Sequence, residues 1–166
     1  MTQSSPIVLF RGIALVLIIL VASCATQRAP SDRTTATDTI KHEVAEIVAG
    51  INAHDVDRAT QFDAPDIVSM ESMRAPSIGA AADREGLSMA FKYAPDWRLQ
   101  LIDENVEMAS AGDMAIYRST YNENSIDHDV PMTHRVNFIA EFKRQPDNSW
   151  RIAWSVVCAQ QRSHPQ

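Results

Sequence analysis

Ile40, Val44, Ile47, Val48 and Ile51 recur at steps of four, three, one and three, which puts them on one stripe of an amphipathic helix. Thr37 or Asp38 caps that helix and Asn52 closes it. The stretch "HDVDRATQFDAPD", residues 54 to 66, predicts a short second helix, capped by Asp55 and stopped before Pro65. "IVSME", residues 67 to 71, reads as a strand. "GAAADREGLSMAFKYAP" predicts a third helix, with Leu87, Ala90 and Phe91 inward and Pro95 ending it.

Beyond Pro95 the period changes to two. Trp97, Leu99 and Leu101 alternate with polar neighbours, and "AGD" at 111 to 113 supplies a hairpin turn before "MAIYRSTYNEN". "RVNFIAEFKR" puts Val136, Phe138, Ala140 and Phe142 on one face, and "QPDNS" is a turn. "WRIAWSVVCAQ" then aligns Trp150, Ile152, Trp154, Val156 and Cys158, which predicts a buried thiol at Cys158. "NENSIDHDVPM" between two of these strands reads as a loop. Three N-terminal helices followed by an antiparallel meander make an α+β plan, with the helices on one sheet face.

The first 23 residues follow a different rule. "GIALVLIILVAS", residues 12 to 23, is apolar and uncharged, and Arg11 precedes it. A spanning helix needs about 20 such residues, so the run suits a secretory signal better than a membrane anchor. Its end, "LVASC", resembles the lipobox of bacterial lipoproteins, with Cys24 at the position that is acylated after cleavage. Ala25, rather than an aspartate, follows Cys24. The resemblance therefore implies lipid anchoring on the periplasmic face of the outer membrane. Residues 24 to 37, polar with only small apolar side chains, then read as a flexible tether, 38 to 160 as the folded domain and 161 to 166 as a tail. With Cys24 acylated, Cys158 has no disulfide partner within the chain.

Composition narrows the functional classes. Apolar residues make up 45% and charged residues 22%, as in a chain that buries a core, and five glycines with eight prolines are too few for a fibrous protein. The net charge is −6 without any lysine or arginine cluster, which argues against a nucleic-acid partner. "D-H-D" at 127 to 129 lacks the spacing of a metal motif, and neither a glycine-rich phosphate loop nor a nucleophile elbow is present. No metal and no cofactor is expected.

The order of elements carries a resemblance. "N-A-H-D-V-D", then "D-I-V-S-M-E", then "A-S-A-G-D-M-A-I-Y-R-S-T-Y", and finally "F-K-R-Q-P-D-N-S-W-R-I-A-W" together resemble the nuclear-transport-factor-2-like superfamily, in its SnoaL-like and ketosteroid-isomerase-like branches. The resemblance spans residues 38 to 160 and implies a cone. In that fold a strongly curved sheet wraps the helices around an apolar cavity, often with a homodimer formed through the outer sheet face. It places Glu71 at the general-base position of the isomerases and Asn137 near a position that polarises the substrate. Ile47 stands where the isomerase carries a tyrosine and cannot donate a hydrogen bond, which argues against steroid isomerisation. Tyr117, Tyr121 and His134 are the further candidates for ligand contact. Two functions follow: a membrane-tethered module that binds a small apolar ligand or a protein, or a cofactor-independent isomerase, lyase or hydrolase with Glu71 as base.

Overall fold

A computed structural model describes residues 30 to 160, except residues 73, 128 and 129. Helix α1 spans Pro30–Ala53, α2 Val56–Ala59 and α3 Ala80–Tyr93. The strands are β1 Asp63–Glu71, β2 Ser77–Ile78, β3 Arg98–Met108, β4 Met114–Asp127, β5 Val130–Arg144 and β6 Trp150–Ala159. They form one curved, unclosed sheet in the order β2-β1-β6-β5-β4-β3. The fold is the expected α+β cone, with one departure: β1 runs parallel to β6, and the other neighbours are antiparallel.

Helix α1 starts at Pro30, so residues 30 to 37 are helical rather than tether. Proline suits the first turn of a helix, where its missing N–H has no intrahelical partner to lose. Arg33 donates to the Ser110 carbonyl at 2.7 Å, Arg144 pairs with Asp32 at 3.4 Å, and Ala36 packs into the core. A stripe of large apolar residues does not reveal a contact made by alanine. The expected signal segment, Cys24 and residues 25 to 29 of the expected tether lie outside the described residues, as does the tail.

Ile40 and Val44 of α1 press on Ala115, Tyr117, Ala140, Phe142 and Trp150 of the sheet. The far end of α1 is pinned by Asn52, whose side chain donates to the Leu99 carbonyl at 2.9 Å and accepts from the Leu99 N–H at 2.7 Å. His54, at φ 55, turns the chain into α2, which Asp55 caps. That second helix is only four residues long, because the chain enters β1 at Asp63, ahead of Pro65.

Two features displace the side-chain pattern predicted for the strands. Ala153 is an extra residue in β6: Phe142 opposes Ile152, while Glu141 opposes Trp154. Such a bulge reverses the alternation beyond it. Trp150 and Ile152 therefore face inward, followed by Ser155 and Val157, and Cys158 is exposed rather than buried. Strands β4 and β5 pair without interruption from Met114–Lys143 to Asp127–Val130, so most of the segment predicted as a loop is a long hairpin. Its tip, with His128 and Asp129, lies outside the described residues.

Candidate functional site: the cone cavity

The sheet curls around one side of α3 and leaves a half-open cavity of about 730 Å³. Its floor is built by Ile47, Ala59, Ile67 and Ile152; Ile67 and Ile152 are only 2% and 3% exposed. Leu87 and Ala90 of α3 face Phe138 and Val157 of the sheet across it. Gly86 lines the cavity as well, and a Cβ there would meet no atom within 4 Å. The mouth carries Met89, Tyr93, Glu71 and Arg74.

Asp63 sits beside the floor because its backbone pairs with Ile152 at the start of β1. Asp83, in the first turn of α3, faces it across the cavity. Burial pushes the Asp63 carboxyl up to about 8, and both the charge of Asp83 and a hydrogen bond to it add to the rise. Asp63 Oδ2 is buried and receives no N–H bond among the described residues. Two carboxylates that share a site resist simultaneous ionisation, so the pair holds a proton at neutral pH. Neither residue has a local sequence signal, because two strands and a turn separate them along the chain.

Glu71 lines the mouth, but its side chain is 54% exposed and pairs with Arg74 at 2.8 Å. Asn137 is not brought to it. The Asn137 side chain accepts from Gln160 at 3.0 Å and from Thr120 at 3.4 Å, while its neighbour Phe138 lines the cavity. Tyr117 and Tyr121 come together, their hydroxyls 3.1 Å apart, and Tyr117 donates to Glu104 at 3.0 Å. Both are buried in the sheet face beneath α1, and burial raises both phenols, that of Tyr117 well above the usual range. They tie the core together; they are not part of the cavity lining.

His134 opposes Glu123 across the β4–β5 pair. Glu123 lines the cavity and is a residue the sequence reading missed. Burial raises its pKa, the nearby charge of His134 opposes that shift, Glu71 adds to it, and Trp97 lowers it by hydrogen bonding. Trp97 lines the cavity beside Glu123, with its Nε1 buried. The indole is held from behind by Phe91, which in turn stacks on His54 at 4.7 Å. Among the described residues no group of three or more His, Cys, Asp or Glu is arranged to hold a metal.

The curved sheet, the helices inside it and the cavity between them define the nuclear-transport-factor-2-like cone. Solved structures agree on this fold. The chain superposes with a TM-score of 0.72 on a hexachlorocyclohexane dehydrochlorinase from Novosphingobium barchaimii, at 12% identity, over 80% of this chain and 92% of that one. An NTF2-like protein from Novosphingobium aromaticivorans matches at 0.66 and 16% identity, over 79% and 86%. A ketosteroid isomerase-like protein from Erwinia carotovora matches at 0.64 and 15%, over 75% and 96%. At these identities the likeness is one of fold. No protein-family profile matches the chain, and no curated protein does.

Proposed function

We propose that this chain is a lipid-anchored periplasmic domain of the outer membrane whose cone binds a small, largely apolar ligand. One observation carries the binding reading: a cavity of about 730 Å³, walled by Ile67, Leu87, Phe138 and Val157, that the side chains of the described residues leave unfilled. Cavities of several hundred Å³ with an apolar wall and a few polar groups are the usual form of small-ligand sites. The anchoring reading rests on the apolar run ending in "LVASC" and on Cys24. The catalytic alternative is less well supported in its first form, since Glu71 is exposed and ion-paired and Asn137 does not line the cavity. In its second form Asp63 is the proton-transfer group, because its raised pKa lies close to working pH.

Two measurements test these readings. Gly86→Phe places a ring where the missing Cβ meets nothing, so the domain is expected to stay folded while the cavity fills. Calorimetric titration with octanol should show binding to the unaltered chain and a loss of about tenfold or more in Gly86→Phe; equal affinities would refute the cavity as the site. For the anchor, Cys24→Ala should block processing and release the protein from the membrane fraction. Unchanged processing and fractionation would refute lipidation.

A further inference from the structure

Of the described residues that line the cavity, four carry carboxyl groups, Asp63, Glu71, Asp83 and Glu123, and one carries positive charge, Arg74. Arg74 is committed to Glu71 at the exposed mouth. Glu123 has His134 opposite it on the neighbouring strand. Asp63 and Asp83, deeper inside, have no cationic side chain among the cavity-lining residues. The nearby Arg84 is engaged elsewhere, with Asp57.

This distribution selects among ligands. An anionic ligand entering the cone meets the Asp63–Asp83 pair, which still carries one negative charge while it shares a proton, in a site where burial weakens screening, and is repelled. A neutral ligand gains only from the apolar walls. A ligand bearing an ammonium group gains from the walls and also supplies the N–H donor and the charge that the buried Asp63 Oδ2 lacks. The geometry points to organic cations as the ligand class: an alkyl- or arylammonium with its charge against Asp63 and Asp83 and its body between Leu87, Phe138 and Val157. Trp97 adds an aromatic wall to the same cavity, a surface that cations favour. This inference rests on the ligand-binding reading above and adds the ligand's charge to it.

Calorimetric titration of the full chain at neutral pH with octylamine, octanol and octanoate separates the two. Octylamine is expected to bind about tenfold or more tighter than octanol, and octanoate more weakly than either. Asp63→Asn and Asp83→Asn should each bring octylamine affinity down to the octanol affinity of the same variant. Equal affinity for octylamine and octanol in the unaltered chain would overturn the cation inference and leave the binding reading standing. Binding of none of the three would overturn both. The ratio in the unaltered chain decides the matter by itself, so the test survives a variant that fails to fold.

Discussion

Asp63→Asn is expected to stabilise the protein at pH 9 and to change it little at pH 4. Asp63 is raised from 3.8 to about 8 in the folded chain, chiefly by burial and then by Asp83. A carboxyl whose folded pKa is raised holds its proton in the folded state after the unfolded chain has released it. Its stabilising effect is complete below about pH 4, declines as the pH climbs through the interval to about 8, and is gone above that. The full displacement corresponds to about 6 kcal/mol. The group borders an open cavity, where water relaxes part of the penalty, so about 2 to 3 kcal/mol is expected at pH 9. The asparagine amide can donate to Asp83 in place of the shared proton. Urea unfolding at the two pH values measures the effect, and an Asp63→Asn variant no more stable than its parent at pH 9 would contradict it. Glu43, buried in α1 and raised to about 7 by burial against the opposing pull of Arg151, makes the parent chain lose further stability over the same range.

Gly50→Ala should destabilise the protein, although glycine to alanine within a helix ordinarily helps by about 1 kcal/mol. Gly50 lies in the last turns of α1, where α2 crosses it. A Cβ at Gly50 would stand 2.5 Å from the Ala59 backbone N and 2.9 Å from the Arg58 carbonyl carbon and the Ala59 Cα. These are backbone atoms, so no side chain can rotate away; α2 must move as a unit. It is held by the bond from the Asp55 N–H to the Gly50 carbonyl at 2.9 Å and by the pairing of Arg58 with Glu46. Overpacking of this kind costs about 1 to 3 kcal/mol, and shifting a tied backbone lies at the upper end. A net loss of about 2 kcal/mol should lower the melting temperature by roughly 5 to 10 °C for a domain of this size. Because Ala59 is part of the cavity floor, the same variant should weaken octanol binding. A melting temperature at or above the parent's would show that α2 yields freely.

Much of this fold is legible along the chain. The stripe from Ile40 to Ile51 and the alternation around Phe138 and Phe142 come from local spacing, and local spacing is what a helix or strand imposes on its residues. The features that escaped are set by partners distant in sequence. Pro30 to Thr37 are helical because Asp32, Arg33 and Ala36 find the sheet, not because their own pattern demands it. The β4–β5 hairpin runs on through "NENSID" because each strand supplies the other's hydrogen bonds, whatever the polarity of its side chains. Cys158 is exposed because Ala153 bulges, and nothing in an evenly alternating strand announces a bulge.

The site divides in the same way. Glu71 could be placed near the cavity from the order of elements, and it is there, at the mouth. Its supposed partner Asn137 is not, since alternation turns it to the face opposite Phe138. The carboxyl pair in the cavity, Asp63 and Asp83, and the third carboxyl at Glu123 have no motif between them.

By itself, then, the sequence determined the amphipathic first helix, the run of strands after Pro95 and the apolar N-terminal segment ending at Cys24, because each is written in the spacing of neighbouring residues. Only the tertiary structure decided which acids share the cone. A carboxyl's burial and its nearest charge depend on how the sheet curls around α3, and that curvature is the sum of contacts made across the whole chain.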